Sequence, residues 1–229
     1  IYQDSNSGAA TLPGKIKFKD LDGDGQITEN DRTVIGNTTP KFQGGFGLSG
    51  QWKNFDFTAN FNYMVDFDVY NATNYMLSSS ISNTNNFYNV LADFTQKNRW
   101  TYVRADGECL YKNTNIDGSV NEYITMNAGK SLWNPADVED KVTHSYFVED
   151  GSFLRLQDVT IGYTLPSNLT KKWGMSKVRF YASASNLFIL TGYSGYDPEV
   201  DVQSGLTPSM DYNRYPRSRS FVFGTNITF

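Results

Sequence analysis

Five stretches of this chain alternate apolar and polar side chains with period two, each for about ten residues or more. Successive side chains of a strand point to opposite faces, so such a stretch builds a strand with one apolar face. In Phe42–Trp52 the even positions carry Phe42, Phe46, Leu48 and Trp52, and the odd ones Gln43, Ser49 and Gln51. In Phe55–Phe67 the residues Phe55, Phe57, Ala59, Phe61, Tyr63, Val65 and Phe67 face Asp56, Thr58, Asn60, Asn62, Met64 and Asp66. Only Lys53-Asn54 separates the two, the spacing of a β-hairpin. Phe153–Leu165 sets Val159, Ile161, Tyr163 and Leu165 on one face. Lys177 to about Leu190 sets Val178, Phe180, Ala182, Ala184 and Phe188 opposite Arg179, Tyr181, Ser183 and Ser185. Ser220–Phe229 sets Phe221, Phe223, Ile227 and Phe229 opposite Val222, Gly224, Asn226 and Thr228.

A soluble sandwich also alternates, but its strands usually run five or six residues. About ten is the length of a tilted strand that crosses the hydrocarbon layer. The connections alternate too. Lys53-Asn54 is short, Asp68–Ser152 very long, Pro166–Ser176 fairly short and Thr191–Arg219 long. Outer-membrane barrels have short periplasmic turns and long extracellular loops. With the C-terminus periplasmic, every long connection falls outside, and so does the segment 1–41. That parity requires Asp68–Ser152 to add an even number of wall strands or none. Within it, Asn89–Asn98 carries Val90, Leu91 and Phe94 at helical spacing, and Ala105-Asp106-Gly107 and Asp117-Gly118 are turn signals for one extra hairpin. The expected fold is an all-β, antiparallel transmembrane β-barrel segment.

Composition agrees. No run of about 18 apolar residues exists, so no transmembrane helix is expected. Mean hydropathy is −0.49, which a barrel tolerates because only every second strand residue is apolar. The 15 Tyr and 16 Phe suit strands and membrane interfaces. A net charge of −4 with interspersed signs argues against a nucleic-acid partner. The opening Ile1-Tyr2-Gln3-Asp4, without a leading Met or a signal segment, reads as mid-chain sequence and points to a fragment or a processed product.

The sharpest local motif runs from Asp20 to Asp31, Asp-Leu-Asp-Gly-Asp-Gly-Gln-Ile-Thr-Glu-Asn-Asp. It matches a calcium-binding EF-hand loop at positions 1, 3, 5 and 12, with Gly25 at 6 and Ile27 at 8. Its expected calcium ligands are Asp20, Asp22, Asp24, the Gln26 carbonyl, Thr28 directly or through water, and Asp31. Asp31 is shorter than the usual glutamate, as in dockerin-like loops. The role would be structural, and the competing reading is a solvated acidic turn.

No nucleophile elbow, phosphate-binding glycine loop or histidine cluster appears. Cys109 and His144 are single, and the pairs Glu149-Asp150 and Asp197/Glu199 fall in expected loops, so no catalytic residue is assigned. Tyr193, Tyr196, Tyr212 and Tyr215 either stack on a sugar or pack the loops against the rim. The basic run Arg214–Arg219 faces either anionic lipopolysaccharide or water.

Four stretches carry a family pattern. They are Gly14-Lys15-Ile16-Lys17-Phe18-Lys19-Asp20 leading through the acidic loop to Asp31-Arg32-Thr33-Val34-Ile35-Gly36; Val148-Glu149-Asp150-Gly151-Ser152-Phe153-Leu154-Arg155-Leu156 leading to Gly162-Tyr163-Thr164-Leu165-Pro166; Asn186-Leu187-Phe188 followed by Tyr193-Ser194-Gly195-Tyr196-Asp197-Pro198-Glu199; and Tyr215-Pro216-Arg217-Ser218-Arg219-Ser220-Phe221 to Phe229. In this order they resemble the C-terminal part of SusC/RagA-type TonB-dependent outer-membrane transporters of Bacteroidetes. The resemblance implies a 22-stranded barrel filled by an N-terminal plug, energy from the TonB system, a SusD-like lipoprotein lid, and uptake of oligosaccharides or peptides. Residues 1–41 would then be an extracellular segment with the calcium loop, and residues 42–229 barrel strands, with 68–152 and 191–219 as extracellular loops. Outer-membrane lipid would be the remaining partner. The alternative is a soluble, secreted, calcium-stabilised carbohydrate-binding β-domain, whose apolar faces would meet each other. Detergent dependence separates the two.

Overall fold

The computed structural model describes residues 3–4, 16, 18–78, 89–95, 98–103, 109–110, 132–133, 135, 143–200, 208–213 and 215–229. It divides into two compact units, residues 1–35 with 73–145, and residues 36–72 with 146–229.

The second unit holds the wall. Its strands are β1 (Phe42–Trp52), β2 (Phe55–Val65), β3 (Asp68–Asn71), β4 (Val148–Asp150), β5 (Phe153–Thr164), β6 (Lys177–Thr191), β7 (Met210–Asp211) and β8 (Ser220–Thr228). Five of them form one antiparallel sheet in the order β8-β6-β5-β2-β1. Strand β2 pairs directly with β5, so the long connection inserts no strand between them, as the parity argument requires. The sheet is open, with β1 and β8 as its outer strands.

The register sorts the side chains cleanly. Leu48 lies across from Ala59, Ala59 from Val159, Val159 from Ala184 and Ala184 from Phe221. A parallel row joins Trp52, Phe55, Tyr163 and Phe180. One sheet face is therefore apolar nearly from edge to edge, with Thr225 of β8 ending the second row. Most of it is open to the surroundings, with Trp52 at 68% and Phe223 at 81% exposure. A soluble sandwich would cover that face with a second sheet. The opposite face is polar and cross-linked. Arg179 Nε donates to Asp56 at 2.9 Å, and its Nη2 pairs with the other carboxylate oxygen. Thr160 and Ser183 hydroxyls meet at 2.8 Å, and Ser185 donates to Asp158 at 2.9 Å.

One irregularity changes the expected parity. Asp158 lies across from Asn60, but Leu156 lies across from Phe61, so Gln157 is an extra residue in β5. The bulge moves Leu154 and Leu156 onto the face that Val159 and Ile161 already occupy. Beside it, Asn186 in β6 takes a left-handed φ of 53°.

The turns differ in kind. Lys53 turns the first hairpin with φ 54° and lies 4.7 Å from the Trp52 ring. Between β5 and β6, α2 (Ser167–Thr170) and a 3-10 turn (Lys171–Trp173) end at Gly174, whose φ of 70° suits a residue without Cβ.

In the first unit, Gln3–Asp4 pairs in parallel with Gln26–Ile27, and Tyr102–Val103 pairs antiparallel with Cys109–Leu110. That second pair brackets the turn signal at residues 105–107, while the one at Asp117-Gly118 lies outside the described residues. Residues 92–93 form a turn rather than the expected helix at 89–98, of which 96–97 lie outside the described residues. The six-residue helix α1 (Ala72–Leu77) was not expected. His144 lies among the rings of Phe18, Tyr75 and Trp133, at centroid distances of 6.1, 6.3 and 5.9 Å. Burial pushes its pKa down, so it stays neutral near pH 7.

Candidate functional site: the charged rim and the acidic loop

At one end of the wall the chain builds a small three-stranded sheet in the order β7-β3-β4. Asp66, at φ 61°, breaks β2 and turns the chain. Its amide donates to Ser152 Oγ at 2.9 Å and its carboxylate pairs with Lys41. Phe67 and Val69 then enter a buried cluster with Phe153 and Tyr193, against Met64, Ile189 and Val200. The expected strand Phe55–Phe67 thus ends at Val65, because Phe67 serves this cluster and not the wall.

Gly151 allows the close approach. Its amide donates to the Phe67 carbonyl at 2.8 Å. A Cβ there would sit 2.6 Å from the Phe67 ring and 2.7 Å from Val69 Cγ2. Both neighbours are buried and stiff, so Gly151→Ala is expected to cost about 1–3 kcal/mol by overpacking. Thermal unfolding of the variant in detergent checks this; an unchanged midpoint would show that the cluster yields freely.

Around the cluster runs a set of polar contacts. Glu149 accepts from Asn71 Nδ2 at 2.9 Å and from the Ser194 amide and hydroxyl, each at 2.8 Å. The Tyr193 hydroxyl donates to Asp211 at 2.7 Å. Burial, helped by that carboxylate, drives the phenol well above the usual tyrosine range. Deeper lies Arg155, only 4% exposed. Its Nη2 is 2.6 Å from Asp197 and 3.4 Å from Glu199. Arg217 reaches the same two acids, 3.0 Å from Glu199 and 3.9 Å from Asp197. Two guanidinium groups thus neutralise two carboxylates. Tyr196, Asp211 and Tyr215 complete a cleft over the acids.

This network adds a partner set to two of the loop readings. Asp197 and Glu199 lie in a loop, as expected, and are ion-paired there, while Arg217 of the basic run keeps its side chain 39% exposed and still reaches both acids; the three belong to one ionic cluster centred on Arg155. Tyr193 packs inside, whereas Tyr196, Tyr212 and Tyr215 are exposed. Every charge in the cluster is held by an opposite one, so its physical role is to fasten loops to strands.

The acidic loop belongs to the first unit. Gly23 and Gly25 take left-handed φ values of 79° and 83°. Asp20 accepts from the amides of Gly23 at 2.6 Å and Gly25 at 2.9 Å, and Asp24 from Gln26 at 2.7 Å. Carboxylate oxygens of Asp20, Asp22 and Asp24 lie within 4.8 Å of one another. Asp31 closes the loop by accepting from Leu21 and Thr28 amides, each at 2.7 Å. Those N–H groups, Thr28 first, hold its carboxyl below the usual aspartate range. Thr28 Oγ1 caps the following turn by accepting from Asn30 at 3.2 Å. The Gln26 side chain is exposed, and its backbone lies in the short parallel pair. Of the six expected ligands, then, three aspartates converge, while Asp31 and Thr28 serve backbone N–H groups.

No family model matches the chain. Curated relatives do. TonB-dependent receptor P3 of Formosa agariphila is 34% identical, over 100% of this chain and 21% of the receptor. TonB-dependent receptor SusC of Bacteroides thetaiotaomicron is 28% identical, over 95% of this chain and 18% of the receptor. Among solved structures, the RagAB peptide transporter aligns with a TM-score of 0.65 and 24% identity, over 95% of this chain and 20% of that one. The chain spans about a fifth of the length of each. These relatives are receptors and transporters, not enzymes. The wall strands, the rim motifs and this match over the full chain agree: the chain belongs to the SusC/RagA type of TonB-dependent receptors, which are outer-membrane proteins.

Proposed function

We propose that this chain forms part of the wall and rim of a TonB-dependent outer-membrane importer. The observation that carries the reading is the five-stranded sheet, with one face apolar and largely exposed and the other polar and cross-linked. The apolar face would meet lipid, and Asp56, Asn60 and Asn62 would line the interior. The same exposed face disfavours the secreted soluble domain. The substrate class would be an oligosaccharide or a peptide; RagAB, a peptide transporter by name, supports the second. A SusD-like lipoprotein would close the long-loop side and the TonB system would supply energy. The long connections and the acidic loop would be extracellular, and the short turns and C-terminus periplasmic. Uptake of labelled oligosaccharides and peptides by cells with and without the native protein tests this. Uptake that depends on the protein and stops when the proton gradient is dissipated supports an energised importer. Equal uptake by both strains contradicts it.

The acidic loop would hold Ca²⁺ through Asp20, Asp22 and Asp24, with the Gln26 carbonyl, Thr28 and Asp31 completing the set. Three convergent carboxylates form the hard oxygen donor set that calcium takes. The ion would relieve their repulsion and order the segment. Calcium added to chelator-treated protein is expected to slow proteolysis within residues 20–31, and Asp22→Ala to abolish that protection. Equal cleavage with and without calcium would leave a solvated acidic turn.

A further inference from the structure

The two ends of the wall differ in charge. At the rim end, Asp66, Asp68, Glu149, Asp150, Asp197, Glu199 and Asp211 outnumber Lys41, Arg155, Arg217 and Arg219 among the described residues. The other end gathers the β1–β2 hairpin, the turn between β5 and β6, and the end of β8. It carries Lys53, Lys171 and Lys172, all exposed in the turns, and Lys177, exposed at the start of β6 on the side of the polar face. Asp56, one residue into β2, lies on the polar face and is held by Arg179. Interleaved with the lysines are exposed aromatic side chains, Trp52, Phe55, Trp173 and Phe229. Trp52 and Phe55 belong to the apolar face itself, and Lys53 stands over the Trp52 ring.

Tryptophan settles at the boundary between acyl chains and headgroups because its ring is apolar and its N–H is not. Lysine beside it extends its charge outward to the headgroup phosphates. The two turns are short, so these cations lie close to the end of the apolar face. We propose that this end is a docking surface for anionic phospholipid headgroups, with Trp52 and Trp173 at the acyl boundary and Lys53, Lys171 and Lys172 on the phosphates. Because short turns mark the periplasmic side of such walls, the occupant is phospholipid of the inner leaflet and not lipopolysaccharide. The inference rests on the wall reading given above.

The test uses the native protein reconstituted into vesicles of phosphatidylcholine alone, or with phosphatidylglycerol added. Its melting midpoint is expected to rise with phosphatidylglycerol, and the rise to shrink in high salt. The triple variant Lys53→Ser, Lys171→Ser, Lys172→Ser is expected to melt normally in phosphatidylcholine and to lose the rise. The matching Lys→Arg variant should keep it. Surface lysines contribute roughly fivefold each to partition onto an anionic membrane, so the triple loss is easily measured. A rise that survives in the serine variant, or that only lipopolysaccharide produces, overturns the assignment. A wild type that reconstitutes but gains nothing from phosphatidylglycerol also overturns it, while leaving the wall intact. Failure to reconstitute at all sinks the wall reading itself.

Discussion

Arg155→Met is expected to destabilise the rim by about 3 kcal/mol or more, because removing one partner of a buried ion pair leaves the other uncompensated. Arg155 is buried and Asp197 and Glu199 are mostly so. Without the guanidinium, two carboxylates of like sign remain in a mostly buried site. Arg217 offsets part of the loss, but its side chain is 39% exposed and it lies 3.9 Å from Asp197. A methionine fills the volume, so the loss reads charge and not a cavity. Adding Asp197→Asn and Glu199→Gln to Arg155→Met should recover much of the stability, since the unpaired buried carboxylates are then neutral and the remaining charge, on Arg217, is 39% exposed to solvent. Hydrogen exchange across 192–200 in the detergent-solubilised protein measures both effects. A single variant as protected as wild type would mean that the cluster is wet and its charges screened.

The second large effect separates the two faces of the wall. Leu48 sits in the middle row of the apolar face and Ser49, its neighbour, on the polar face. Leu48→Arg is expected to cost about 2–4 kcal/mol in a lipid bilayer, and Ser49→Arg far less, because only the first places a charge in hydrocarbon. Equilibrium urea titration of vesicle-folded protein compares them. In a soluble fold the order would change, since Leu48 is 53% exposed and an arginine there would simply meet water.

Wall strands were legible in the sequence because period-two alternation is local and the lipid-facing side demands it. Their ends agree with the pattern except where tertiary structure overrides it. Phe67 continues the alternation past Val65, yet the left-handed turn at Asp66 sends it into the rim cluster. The bulge at Gln157 left one trace in the sequence, Leu154 and Leu156 at even positions against Val159 and Ile161 at odd ones, and the partner strand fixes where the extra residue sits. The aspartate convergence at 20, 22 and 24 was readable because spacing and two glycines determine it. The rim cluster was not. Arg155 and Asp197 are 42 residues apart, and no local spacing joins them. One signal was present: an arginine between Leu154 and Leu156 in a wall strand needs a carboxylate, and Asp197-Pro198-Glu199 is an acidic pair around a proline that lies fully buried.

A spin-label scan of β2 in reconstituted bilayers tests the membrane wall most directly. Single cysteines replace residues 56 to 62 in turn, with Cys109 changed to serine, and collisions with oxygen and with a water-soluble nickel chelate are measured at each site. A membrane wall gives alternation, with positions 57, 59 and 61 open to oxygen dissolved in lipid and 56, 58, 60 and 62 not. Uniform access of the nickel chelate along the strand, or no alternation, would contradict a membrane wall.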